Sequence, residues 1–158
     1  MIVTVAHPTL GRQEFLAKGA KRASAKLTPW LQPLLLVTMW VAASKGERPI
    51  VQDVYVVRDF RPSYYLGLKF SLKVLTLLEK ATYPLIECRD FMRSTLLLLR
   101  SVKQKTLDLR ELKRLWLMFE LLLLAFLGVK PDMDGMKGQD LSTVAKNLER
   151  TIYQFLAP

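Results

Sequence analysis

The sequence predicts an α+β fold in which a small β-domain precedes a bundle of helices. Up to residue 59, short runs rich in Val, Ile and Leu are separated by proline and glycine turn signals, which is typical of strands. From "RPSYY" onward, apolar residues recur every three or four positions, as in amphipathic helices. The period changes between Phe60 and Ser63. We therefore expect a β-domain over residues 1–60 and a helical bundle over residues 61–158.

The β-domain is expected to contain four strands joined mostly by short turns. They are "IVTVAH" (2–7), "QEFLAK" (13–18), "PLLLVTMWVAAS" (33–44) and "IVQDVYVVRD" (50–59). A basic excursion over residues 19–31 separates the second strand from the third. We expect an antiparallel and strongly curved sheet, although four strands are few for a closed barrel.

Helical spacing predicts four helices in the second half. The first carries an apolar set and a separate lysine set: Leu66, Phe70, Val74 and Leu77, and Lys69, Lys73 and Lys80. The second spans about 87–105 and has one basic stripe: Arg89, Arg93, Arg100 and Lys103.

The third helix has a start signal and a stop signal in the sequence. Asp108 and Glu111 have the spacing of a capping box, and Gly128 with Pro131 marks the end. A polar loop follows, and the last amphipathic helix is expected over residues 141–157.

Composition indicates a packed globule with a phosphate-bearing partner. Of the 158 residues, 51% are hydrophobic, which is more than a disordered chain carries. Lys and Arg number 24 against 14 acidic residues, giving a net charge of +10. Residues 108–158 hold seven basic and seven acidic side chains, so the whole excess lies before them.

The residues that catalysis requires are not grouped in this sequence. His7, the single histidine, precedes a proline in a turn and has no nucleophile or carboxylate cluster beside it. Cys88, the single cysteine, is expected to be an inert, half-buried thiol, with mild activation as the alternative. We find no glycine-rich phosphate loop and no metal-loop spacing of carboxylates. We therefore expect a protein that is not an enzyme and has no cofactor.

Membrane insertion and secretion are not expected either. The most apolar run, residues 115–129, is interrupted by Glu120 and is shorter than the roughly 20 residues of a membrane span. No signal peptide is recognised, and a single cysteine suits a reducing cytosol. A cytoplasmic, nucleoid-associated location follows as the expectation.

The segment after the second strand is the main candidate for contact with an anion. Small residues that allow a phosphate backbone to approach surround five basic ones: Arg12, Lys18, Lys21, Arg22 and Lys26. A solvated, solubilising loop is the alternative. Four aromatic residues could stack unpaired bases or belong to the core: Phe15, Trp30, Trp40 and Tyr55. The basic helix stripes likewise either extend a phosphate track or are ordinary exposed faces.

Two motifs resemble the bacterial recombination mediator family RecO. The first is "GRQEFLAKGAKRASAKLTPWLQP" (11–33), followed by a long apolar strand. The second is "FELLLLAFLGVKPDM" (119–133), in the order and at about the distance found in the family. The likeness covers residues 2 to about 133.

The resemblance implies an N-terminal OB-fold-like antiparallel barrel on an all-α bundle, and a role in DNA repair by homologous recombination. Members of the family bind single- and double-stranded DNA, anneal complementary strands and act with RecR to load RecA. They contact the acidic C-terminal tail of the single-strand-binding protein and catalyse no bond-breaking chemistry. The resemblance therefore favours DNA contact by the basic loop, and Lys69 and Lys73 of the first helix stripe are expected to extend this contact.

The chain departs from the family at three places. The sequence begins at what resembles the family's second strand, so the first barrel strand is expected to be absent. Either the start codon is placed too far downstream, or the barrel is open and takes a strand from elsewhere, for example from a partner by edge pairing. The cysteine-containing insertion that holds zinc in some members is reduced to residues 134–140, so zinc is not expected. The basic residues that some members carry just before Phe-Glu are replaced by Leu117 and Met118. Lys113 and Arg114 lie about one turn earlier and are expected to receive the tail together with Met118.

Three hypotheses remain distinct at this stage. The first is a non-enzymatic DNA-binding recombination mediator. The second is a protein–protein adaptor that receives acidic tails and has little DNA affinity of its own. The third is a peripheral membrane protein drawn to anionic lipid.

Overall fold

The structure, a computed structural model, describes residues 1–18, 26–44, 48–130 and 140–156. Within these ranges the chain forms four strands followed by four α-helices. The strands are β1 (Ile2–His7), β2 (Gly11–Leu16), β3 (Leu35–Ala42) and β4 (Ile50–Asp59). The helices are α1 (Tyr65–Ala81), α2 (Arg89–Gln104), α3 (Leu109–Phe126) and α4 (Leu141–Leu156). The predicted α+β class, with a β-domain before a helical part, is confirmed.

The sheet consists of two antiparallel hairpins that meet at one corner. Its strand order is β1-β2-β4-β3, and β1 pairs with β2, and β3 with β4, in antiparallel fashion. β2 and β4 are parallel and are joined by the single pair Leu16 and Ile50. The sheet is thus mixed rather than wholly antiparallel, because the chain crosses from β2 to β3 before β4 returns beside β2.

The sheet is not closed in the described part of the chain. β1 and β3 are its two edges, and neither pairs there with a further strand. Both edges line a cleft of about 360 Å³ whose floor is formed by α1 and α2. Closure of the sheet into a barrel and the OB-fold assignment both stay predictions.

The main hydrophobic core lies among the helices and extends to the sheet at Leu34 and Phe60. The predicted apolar positions Phe70, Val74 and Leu77 of α1 are buried, whereas Leu66 in its first turn is 44% exposed. A second, smaller core fills the concave face of the sheet. It consists of Ala17, Val51, Val3, Phe15, Leu27, Leu31, Met39 and Val54.

The predicted capping box of α3 is confirmed. The backbone N–H of Glu111 donates to Asp108 Oδ1 over 2.8 Å, and the N–H of Asp108 donates to Glu111 Oε2 over 2.9 Å. Gly128, just after the helix, has a φ of 73°, as expected for a glycine that ends a helix. Pro131 lies outside the described residues.

The turn between β1 and β2 is fastened to the loop between α1 and α2. Leu85 N–H donates to Leu10 O over 2.8 Å, and Arg12 N–H donates to Tyr83 O over 3.2 Å. Gly11, between the two, has a φ of 64°, and a Cβ added there would lie 1.9 Å from Tyr83 O. Only glycine fits this junction of the two halves.

Candidate nucleic-acid interface

His7 and Cys88 have structural roles near the sheet–helix junction. His7 Nδ1 accepts hydrogen bonds from the N–H groups of Thr9 (3.3 Å) and Leu10 (3.1 Å), so it supports the turn, as predicted. Cys88 is buried, and its Sγ donates to His7 O over 3.3 Å. Burial raises the pKa of this thiol, which is the opposite of activation.

The predicted basic loop leaves the sheet beside the start of β4. Leu16 N–H donates to Pro49 O over 2.8 Å, and Lys18 follows two residues later. The chain returns at Lys26 and forms a 3₁₀ turn at Thr28–Trp30, whose neighbour Leu31 packs into the concave face. Lys18 and Lys26 are both exposed. Lys21 and Arg22 lie outside the described residues.

Three cations near the start of β4 have no ion-pair partner among the described residues. No carboxylate of the described ranges lies within 4.0 Å of Lys18, Lys26 or Arg12. Arg12, in β2, is half-buried and lines the cleft between the sheet edges. Arg48 differs, because its guanidinium donates to Glu14 Oε2 over 2.7 Å. Unpaired cations keep their attraction for an external anion.

Two of the aromatic candidates lie on the convex face of the sheet. Val51 and Val54 of β4 point into the smaller core, whereas Tyr55 is 64% exposed. Trp40, on β3, is 55% exposed. Trp40 pairs with Asp53 and Tyr55 pairs with Thr38, so the two aromatic residues are diagonal neighbours.

The other two aromatic candidates are placed differently. Phe15 is partly buried in the smaller core, where it packs near Val51. Trp30 is 49% exposed, but it lies in the 3₁₀ turn and lines the cleft rather than the convex face.

The lysines of α1 differ from each other. Lys69 is exposed and has no carboxylate within 4.0 Å in the described part of the chain. Lys73 Nζ donates to Glu149 Oε1 of α4 over 2.8 Å and lies 4.0 Å from the centre of the Trp116 ring of α3. Lys73 therefore joins three helices, and much of its charge is balanced within the protein.

The basic stripe of α2 is divided in a similar way. Arg89 lies 3.6 Å from Glu87, and Lys103 donates to Asp59 O over 2.5 Å. Arg93 and Arg100 are exposed, and no described carboxylate lies within ion-pair distance of either. The middle of the stripe is the part that offers free positive charge.

The residues expected to receive an acidic tail share an exposed surface of α3. Lys113 and Arg114 are exposed, and Met118 is 57% exposed. Arg114 and Met118 are four residues apart and lie on the same side of the helix. A guanidinium beside an exposed apolar side chain is suited to a peptide that is both acidic and apolar.

Sequence reasoning missed the environment of Glu120. This residue is fully buried, and Oε1 accepts a hydrogen bond of 2.6 Å from Trp116 Nε1. Oε2 has no hydrogen-bond partner among the described residues. The pKa of Glu120 is raised to about 7, because burial and, to a smaller extent, nearby Glu149 raise it more than the Trp116 hydrogen bond and Lys73 lower it. The available signal was a glutamate inside an apolar run, four residues after a tryptophan.

The described residues do not assemble a recognisable catalytic or metal centre. In residues 1–18, 26–44, 48–130 and 140–156, no group of three His, Cys, Asp or Glu side chains could hold a metal ion. Arg12 and Glu79 are the charged residues of the cleft lining, and the Thr82 and Thr95 hydroxyls there donate to backbone carbonyls of their own helices. Over the same parts of the chain, no helix combines the length and apolarity that a bilayer crossing requires.

Comparison with known proteins gives one partial likeness. No family model matches the chain. An alignment of 81 residues is 35% identical to the DNA repair protein RecO of Leuconostoc mesenteroides subsp. mesenteroides and covers 46% of this chain. It covers 31% of that protein, so the chain spans about a third of the relative's length. The likeness therefore supports a RecO-like relationship over less than half of this chain.

Proposed function

We propose that this chain is a non-enzymatic, DNA-binding mediator of homologous recombination that binds single- and double-stranded DNA and promotes annealing of complementary strands. The observation that carries the proposal is a pair of exposed cations near the start of β4, Lys18 and Lys26, which have no ion-pair partner among the described residues. Lys21 and Arg22 belong to the same loop of the sequence. The partial likeness to a DNA repair protein supports the same function.

Charge explains how such a surface would act. Each phosphate that a lysine or arginine neutralises releases condensed counter-ions, and binding weakens as salt rises. Arg12 and Lys69 extend the positive surface from the sheet to α1, and Arg93 and Arg100 add exposed charge on α2. Neutralising the backbones of two strands lowers their mutual repulsion, which favours annealing.

The proposed partners follow from the second exposed surface. Lys113, Arg114 and Met118 would receive the acidic, apolar C-terminal tail of a single-strand-binding protein. With a RecR-like protein, the chain would then help load RecA on coated single strands. We place this activity in the cytoplasm, at the nucleoid.

The adaptor hypothesis is the second candidate, and the exposed surface of α3 favours it. An adaptor would bind an acidic tail peptide through Lys113 and Arg114 and would show little DNA affinity. Titrating the protein with a labelled oligonucleotide and, separately, with a labelled tail peptide distinguishes the two functions.

Charge reversal at Lys18 and Lys26 tests whether these residues contact DNA. We expect Lys18→Glu combined with Lys26→Glu to weaken binding of a labelled single-stranded oligonucleotide and to flatten its salt dependence by about 0.7 per lost phosphate contact. Lys146→Glu with Arg150→Glu is the control, because both residues are exposed on α4 and the net charge changes equally. Equal loss of affinity in the two double variants would show that only net charge matters and would refute the assignment.

A further inference from the structure

We propose that the convex face of β3 and β4 is a base-stacking surface for single-stranded nucleic acid, built on Trp40 and Tyr55. This inference rests on the proposed DNA-binding function and adds the side chains that would distinguish a single strand from a duplex.

The exposure of this face is unusual for its residue types. Trp40 (55%), Tyr55 (64%) and Val57 (54%) are exposed on two adjacent strands. None of the three belongs to either hydrophobic core. Large apolar side chains grouped on a surface indicate a binding site more often than chance exposure.

The spacing of the two rings fits an unstacked strand. The register places Trp40 opposite Asp53 and Tyr55 opposite Thr38, which makes the aromatic residues diagonal neighbours about 7 Å apart. Successive bases of a duplex are separated by about 3.4 Å. Two bases that stack on these rings must therefore be drawn apart, which a single strand permits and a duplex does not.

The charges around the face are arranged for a nucleic-acid strand. Lys18 and Lys26 flank the start of β4, and the exposed Arg58 lies near its end. Cations therefore lie at both ends of the stretch that carries the aromatic residues. None of the three has a carboxylate within 4.0 Å in the described ranges.

The carboxylate of Asp53 influences which part of a nucleic-acid strand faces the sheet. Asp53 lies directly opposite Trp40, and its Oδ1 accepts a hydrogen bond of 2.9 Å from the N–H of Val54. This fixed negative charge repels phosphates from the middle of the face. Bases can contact the rings while the phosphates follow the cations at the ends, so the arrangement favours nucleic acid over an acidic peptide.

The decisive experiment compares two double variants that each lose two exposed aromatic side chains. Trp40→Ala with Tyr55→Ala should weaken binding of single-stranded DNA at least tenfold, since each stacked base contributes ~1–3 kcal/mol, and should leave binding of a duplex of the same sequence unchanged. Tyr65→Ala with Tyr153→Ala is the matched control, because both residues are exposed on helices rather than on this face. The control should retain single-strand affinity.

Two further measurements test the same inference without large changes to the protein. Wild-type protein should bind an abasic strand of equal length about as weakly as the Trp40/Tyr55 double variant binds the normal strand. Asp53→Asn should strengthen single-strand binding, because it removes a negative charge from the face.

The outcomes separate this inference from the function on which it rests. Wild-type protein that binds single strands equally well with or without bases overturns the stacking surface and leaves DNA binding intact. Equal losses for single strands and duplexes in the Trp40/Tyr55 variant also overturn it. Wild-type protein that binds neither form of DNA overturns both proposals.

Discussion

Replacing Glu120 by glutamine should make the stability of the protein much less dependent on pH. Glutamine keeps the shape of the side chain and the oxygen that accepts the hydrogen bond from Trp116 Nε1. It removes the charge that wild-type Glu120 must carry above neutral pH in a fully buried position.

The pKa of Glu120 sets the size of the effect. It is raised from the ordinary value of 4.5 to about 7, chiefly by burial. One pKa unit corresponds to about 1.4 kcal/mol, so the shift amounts to about 3 kcal/mol. The folded state holds the proton more tightly than the unfolded state does. This stabilisation is fully present below pH 4.5 and is lost as the pH rises to about 7.

Urea unfolding of wild type and Glu120→Gln at several pH values measures the difference. We expect similar free energies of unfolding at the acidic end of this window and a more stable variant above pH 7, by up to about 3 kcal/mol. Glu79→Gln serves as the control, because Glu79 is exposed and has no described ion pair. A difference between Glu120→Gln and wild type that stays constant with pH would refute the reasoning.

Three further substitutions test other parts of the fold. Gly11→Ala should destabilise the protein by about 2–4 kcal/mol, since it adds left-handed strain and a clash with Tyr83 O. Gly128→Ala should destabilise the protein by only about 1 kcal/mol, because its φ is also positive but no atom lies within 4 Å of the added Cβ. Equal decreases in melting temperature for the two alanine variants would contradict the clash at Gly11. Asp108→Ala should lower the free energy of unfolding, measured in urea, by about 1 kcal/mol, because α3 loses its N-terminal cap. An unchanged free energy would show that the capping box does not contribute to stability.

The sequence contained enough local information to predict the elements of the fold. Strand alternation, helical spacing and the capping box depend on residues a few positions apart, and the elements follow the predicted order. The parallel contact of Leu16 with Ile50 could not be predicted in this way, because a single pair at a corner leaves no periodic signal in either strand.

The candidate surfaces could be predicted only in part. Helical spacing placed Lys73 on an exposed face of α1, but its ion pair with Glu149 depends on where α4 docks. Strand alternation assigns Trp40 and Tyr55 to one face without showing whether another element covers it. That second question depends on contacts between residues far apart in the sequence, and the structure leaves both rings exposed.

The hydrogen bonds between the β1–β2 turn and the α1–α2 loop hold the sheet in one position relative to the helices. Hydrogen bonds from Arg12 and Leu85 cross this junction, and a third runs from the N–H of Cys88 to Pro8 O over 2.8 Å. The sheet cannot tilt on the helices without breaking them. The proposed nucleic-acid surface of the sheet and the proposed peptide surface of α3 would therefore keep a constant separation.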